Sequence, residues 1–123
     1  MECILDTHAL IYLLNEPERL SSGLISELKN AEVYVSAATI WEISIKVGLS
    51  KLKLPSDFFE YVEDLEFEEL PISSAHSRKI SDLEPIHTDP FDRIIVAQAL
   101  VENLEIVTND SMIPRYAGVS VRW

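Results

Sequence analysis

Two rhythms of apolar and polar positions alternate along the chain. ECIL at 2–5 is a short apolar run that stops at Asp6. THALIYLLN at 7–15 has helical spacing and is closed by Glu16-Pro17. A second helix is expected from about Ser21 to Asn30, and VYVS at 33–36, β-branched and aromatic, reads as a strand. In AATIWEISIKVGL at 37–49, Ile40, Ile43, Ser44 and Val47 recur at helical spacing, which suits a helix despite the β-branched residues. Pro55-Ser56-Asp57 opens a helix running to about Leu65. EELPI at 68–72 reads as a strand whose Pro71 favours an edge or an end. A weaker helix is expected over 73–83 and the strongest one over 90–103, with strands EIVT at 105–108 and VSVRW at 119–123.

Strands alternating with helices imply an α/β fold with a mainly parallel sheet. In such sheets ligands bind beyond the carboxyl ends of the strands, near a topological switch point. There is no internal repeat, low-complexity segment or linker, and 123 residues fit one compact domain over 1–123. An apolar fraction of 47% suffices for a core without disulfides. The single cysteine, Cys3, is expected to be a buried, inert thiol. No stretch approaches the ~18–20 apolar residues of a membrane span. The opening MECILDTHAL lacks the basic region of a signal peptide. The expectation is a soluble cytoplasmic protein with no membrane partner.

The net charge of −11 argues against general nucleic-acid affinity. It does not exclude a nuclease, because bound divalent cations invert the local field. Carboxylates do recur on the predicted ligand side of the sheet. Asp6 ends the first strand, Glu42 lies on the helix after VYVS, Asp89 and Asp92 open the helix before EIVT, and Asp110 follows that strand. Hard divalent ions take oxygen ligands, so converging carboxylates can hold one or two of them and need no cysteine or histidine.

Each residue also has a plain structural reading. Asp6 can cap the helix at Thr7, Glu42 can pair with Lys46 one turn on, and Asp110 can cap a turn leading to Pro114. In DPFDR at 89–93, Asp89 as N-cap places Pro90 at the first helical position, where its missing N–H costs little. Asp92 then falls in the first turn, where its charge favours the positive helix end but its side chain is not needed for the cap. His8, His76 and His87 lack the spacing of a metal set and are expected to be structural or at the surface. Trp41, inside an apolar helical pattern, is expected to pack rather than stack on bases.

Neither GxGxxG nor GxxxxGK[ST] is present, so dinucleotide and P-loop fingerprints are missing. The start ILDTHA lacks the DxD of an aspartate phosphatase. A receiver-like domain would also use an acidic pocket at strand ends, with Thr108 well placed after a late strand. It would need an acidic pair near the first strand and a lysine after the last, and AGVSVRW has none.

Four stretches, in order, resemble the PIN-domain ribonucleases, particularly the VapC-type toxins of toxin–antitoxin pairs. They are ILDTHALIYLL, SAATIWEISIKVGLSKLKLP, HTDPFDRIIVAQAL and EIVTND. The resemblance implies a three-layer α/β/α sandwich around a short, mainly parallel sheet. It implies a toxin endoribonuclease that cleaves RNA phosphodiester bonds by metal-activated water, using one or two Mg²⁺ or Mn²⁺ ions. By motif, Asp6, Glu42, Asp92 and Asp110 are its acidic ligands. Thr108 resembles the family's hydroxyl beside the acidic cluster, and Asp89 has at most an outer role. Arg93 resembles a subgroup feature with a substrate or structural role. A glycine common before the KLKLP-like segment is Ser50 here, which bears on the local turn. A homodimer and a cognate antitoxin covering the acidic cleft are further implications. The competing reading is a catalytically inactive PIN-like module that binds RNA or a protein.

Overall fold

The structure is a computed structural model that describes all residues from Met1 to Trp123. Five strands form its sheet: β1 (Glu2–Leu5), β2 (Glu32–Ser36), β3 (Glu68–Leu70), β4 (Glu105–Val107) and β5 (Val121–Arg122). Their order across the sheet is β3-β2-β1-β4-β5, and all four pairings are parallel. Six helices connect them: α1 (Thr7–Asn15), α2 (Ser22–Lys29), α3 (Ala37–Gly48), α4 (Phe58–Asp64), α5 (Ser74–Lys79) and α6 (Pro90–Glu102). The third strand is only EEL. Pro71 has no N–H to continue the ladder, so EELPI pairs over 68–70 alone. The weaker helix over 73–83 divides into α5 and a 3₁₀ turn at Ile80–Asp82.

The alternation of side chains along each strand builds two cores, one on each face. Cys3 and Leu5 of β1, Val33 and Val35 of β2, and Val107 of β4 pack with α1, α2, α3 and α4. Ile4 and Ile106 face the other way, onto Ile95, Val96 and Ala99 of α6 and onto Ile113 and Tyr116. This is the three-layer α/β/α sandwich. Cys3 is wholly enclosed, and burial pushes its thiol up to about 11, so it is inert.

β1 is the pivot. The chain leaves it in one direction for β2 and β3, then returns to its other side for β4 and β5. The switch point therefore lies between the carboxyl ends of β1 and β4, where Asp6 and Thr108 stand. The backbone is stitched there by Asp6 N–H donating to Val107 O at 3.1 Å. No helix is long and apolar enough to cross a membrane.

Two details differ from the sequence expectation. The buried residues of α3 are Ala38, Thr39, Glu42 and Ile43, so Ser44 and Val47 face outward. Trp41 is 58% exposed, touching Phe91 edge-on at 5.1 Å instead of packing inward. Both follow from one cause. The helix turns a polar pair, Thr39 and Glu42, toward the switch point, and this rotates Trp41 out. Ser50, where the glycine is common, has φ +57 and so holds the left-handed conformation that glycine adopts more easily.

Candidate active site

Asp6 sits where β1 hands over to α1, with 4% of its surface exposed. Its Oδ1 accepts from Ala9 N at 2.8 Å, which caps α1. Its Oδ2 accepts from the Thr108 hydroxyl at 2.5 Å. Burial raises its pKa, opposed by these two hydrogen bonds, and Asp110 adds to the rise.

Glu42 comes in from α3, equally buried. Thr7 donates to Oε1 at 2.6 Å, and Lys46 Nζ lies 2.7 Å from Oε2. Asp110 follows β4 in a tight turn. Its Oδ1 accepts from Met112 N at 2.7 Å, while its own N–H donates to Thr108 Oγ1 at 3.0 Å. Thr108 thus ties the Asp6 and Asp110 segments together.

DPFDR forms the start of α6. Asp89 is the N-cap, and its Oδ1 accepts from Phe91 N at 2.8 Å and Asp92 N at 3.3 Å, with Pro90 at the first helical position. Asp92 is different. Its carboxylate accepts no hydrogen bond within the protein, and His87 Nε2 lies 3.8 Å from its Oδ2. Its pKa is raised to about 6, first by burial, then by the charge of Asp89, with Asp110 and Glu42 adding to it and His87 opposing.

Asp110 is near enough to raise both Asp6 and Asp92, and Glu42 adds to the rise at Asp92, so the four carboxylates are linked electrostatically around the switch point. The plain structural readings hold together with this convergence: Asp6 and Asp89 cap, Glu42 pairs with Lys46, and Asp110 closes its turn. Asp92 is the carboxylate left without an internal donor.

Sequence reasoning assigned His87 a structural or surface place and missed its position. Its side chain is 7% exposed and lies between Asp92 and Asp110, with Nε2 3.3 Å from Asp110 Oδ2. One ligand atom from each of these three residues falls within 4.8 Å of the others. Its nearness in sequence to the Asp89 cap is the only local signal that could have drawn attention to it. His76 is structural, completing a capping box with Ser73 and meeting Glu102 at 3.0 Å, and His8 is exposed. Arg93 turns away from the carboxylates. Its guanidinium donates to the carbonyls of Glu84 at 2.9 Å and Ile80 at 3.4 Å and to Tyr116 Oη at 3.2 Å. It pins the segment between α5 and α6.

The donor set fits a hard divalent cation. Carboxylate oxygens dominate it, and one carboxyl, that of Asp92, is raised first by burial and then by neighbouring carboxylates. Thiolate is absent.

The PIN domain family model matches residues 3–119. Among solved structures, a chain of VapBC2 from Rickettsia felis, bound to a DNA fragment from its promoter, superposes with a TM-score of 0.78 at 20% identity, covering 100% of this chain and 99% of that one. A chain of DNA-bound VapBC from Salmonella typhimurium gives 0.75 at 18% identity, covering 99% and 97%. A chain of a toxin–antitoxin complex from Klebsiella pneumoniae gives 0.64 at 19% identity, covering 98% and 96%. No curated protein matches by sequence.

Proposed function

The chain belongs to the PIN domain family, and from that premise we propose that it is a Mg²⁺- or Mn²⁺-dependent endoribonuclease, the toxin of a type II toxin–antitoxin pair. The observation that carries the reading is the Asp92 carboxylate, which accepts no hydrogen bond within the protein and is raised to about 6 by burial and by the charges of Asp89, Asp110 and Glu42. Negative charge concentrated this way favours a cation. With a net charge of −11, the chain also needs one before a phosphodiester can approach.

In this reading Asp6, Glu42, Asp92 and Asp110 hold one or two ions, directly or through water. Divalent ions in such a site acidify water and neutralise the charge that grows on the phosphate. The chain's own work is placement. Thr108 and the α1 amide fix Asp6, Thr7 and Lys46 fix Glu42, Met112 N–H fixes Asp110, and the N-terminal end of α6 aims Asp92. The positive end of that helix helps keep Asp92 ionised.

A cognate antitoxin is the partner, its basic side chains meeting the carboxylates. The likeness to chains from VapBC and toxin–antitoxin structures supports this. A homodimer belongs to the same reading. It is supported by the apolar stripe of Trp41, Ile45 and Leu49, exposed by 58%, 39% and 60% at one-turn spacing on and just past α3. Sedimentation of the purified chain as a monomer at high concentration would remove the dimer from it.

The test is RNA cleavage by purified protein with and without Mg²⁺ or Mn²⁺, beside Asp6→Asn and Asp92→Asn. Metal-dependent cleavage by wild type alone is expected. A second reading, a non-catalytic RNA- or protein-binding module, draws on the internal donors that already serve Asp6, Glu42 and Asp110. RNA binding without cleavage across a metal titration would favour it.

A further inference from the structure

Tyr116 Oη is a junction of three polar groups. His87 N–H donates to it at 3.1 Å, Arg93 Nη1 donates at 3.2 Å, and His87 Nδ1 lies 2.9 Å away. A phenol oxygen has two lone pairs and one proton. The amide and the guanidinium can only donate, so together they occupy both lone pairs. The phenol proton is left for Nδ1, which is therefore the unprotonated ring nitrogen. A neutral imidazole then carries its proton on Nε2. That N–H faces Asp110 Oδ2 at 3.3 Å.

The junction has little freedom to relax. Tyr116 is 2% exposed and its ring stacks on His87 at 5.5 Å and 23°. Arg93 cannot lose its proton, and its guanidinium is held by three backbone carbonyls as well, those of Glu84, Ile80 and, at 3.5 Å, His87.

We propose that His87 is a positioning residue whose tautomer is set by Tyr116 and Arg93, so that Nε2–H donates to Asp110 and the ion site is made of oxygen ligands alone. The last clause rests on the metal-dependent reading above; the tautomer does not. The spacing of His87, Asp92 and Asp110 would by itself suit a mixed nitrogen and oxygen site. Proton accounting opposes it. A ligating nitrogen gives up its proton and leaves the other ring nitrogen as a donor. Nδ1–H would then be a third donor on an oxygen with two lone pairs.

The direct test is a long-range ¹H–¹⁵N spectrum of the imidazoles of the full chain near pH 8. His87 is identified by the signal that His87→Gln lacks. The Nε2–H pattern is expected in the metal-free protein and again at saturating Mg²⁺. An Nδ1–H pattern in either state, or a doubly protonated ring, overturns the proposal. Calorimetric titration with Mn²⁺ provides a second readout. His87→Ala should weaken binding by about tenfold or more, and His87→Gln, which restores an N–H donor, should recover most of it. Unchanged affinity in His87→Ala, or no recovery in His87→Gln, overturns the positioning role. Because the metal-free spectrum involves neither ion nor RNA, failure of the nuclease reading leaves the tautomer result intact.

Discussion

The Thr108 hydroxyl donates to Asp6 Oδ2 across the switch point, joining the ends of β4 and β1 at 2.5 Å. Since Oδ1 caps α1, both oxygens of this buried carboxylate are held. Thr108→Val keeps the shape and removes the donor, leaving a buried acceptor short of a partner. The expected loss is roughly 1–3 kcal/mol in denaturant unfolding, and Thr108→Ser should recover most of it. Equal stability of wild type and Thr108→Val would mean that the bond is not made in solution.

Asp92 predicts a pH dependence with an unusual sign for a carboxylate. Its pKa is raised from 3.8 to about 6, so between those values the folded protein binds more protons than the unfolded chain. Its contribution is therefore full at low pH and lost as pH rises through that window. The shift corresponds to at most roughly 3 kcal/mol, and solvent screening of this partly exposed side chain reduces it to roughly 1–2 kcal/mol. Metal-free Asp92→Asn should be more stable than wild type at neutral pH by that amount, with the difference fading toward pH about 4. Mg²⁺ should raise the wild-type melting temperature more at neutral pH than at pH about 5, since it binds the ionised form. Thermal melts at both pH values, with and without Mg²⁺, read both effects.

The two aspartates of DPFDR should separate on substitution. Asp89→Ser preserves a capping oxygen, so stability and most of the cleavage should survive. Asp92→Ser should lower cleavage by at least about 100-fold without unfolding the protein, as loss of a residue that acts through the ion. Asp89→Ala, which removes the cap, should cost about 1 kcal/mol. Cleavage rates and unfolding curves for the three variants decide this, and the reverse pattern would exchange the assigned roles.

Ser50 offers a test away from the site. Its left-handed backbone costs a side chain of this kind about 1 kcal/mol or more, partly offset by the greater chain entropy of glycine. Ser50→Gly should be neutral to stabilising, by up to about 1 kcal/mol, in denaturant unfolding. A clear loss of stability would show that the serine side chain holds this turn.

The alternation of strands and helices, with a parallel sheet, and the cap of α6 were legible because they rest on local signals, while the three layers came with the family resemblance. Short apolar and β-branched runs gave the strands, and Asp-Pro gave the start of α6. The inward face of α3 was not legible from apolar spacing, because the residues it turns inward include Thr39 and Glu42. Thr7, which meets both, lies 32 and 35 residues away in sequence. The surroundings of His87 were hidden for a related reason. Tyr116 lies 29 residues away and Asp110 lies 23 away, beyond any periodicity. Arg93 could be read as facing substrate or structure, and only the carbonyls around it decide for structure.

The central claim is that this carboxylate cluster cleaves RNA with a divalent ion. The most direct measurement is the mapping of RNA 5′ and 3′ ends after incubation with purified wild type and Asp6→Asn, each with Mg²⁺, with Mn²⁺ and with chelator. Defined new ends in wild type with metal, absent in Asp6→Asn and in chelator, are the expected result. Cleavage that persists in Asp6→Asn or in chelator, or no cleavage of any RNA by folded, metal-loaded wild type, would contradict it.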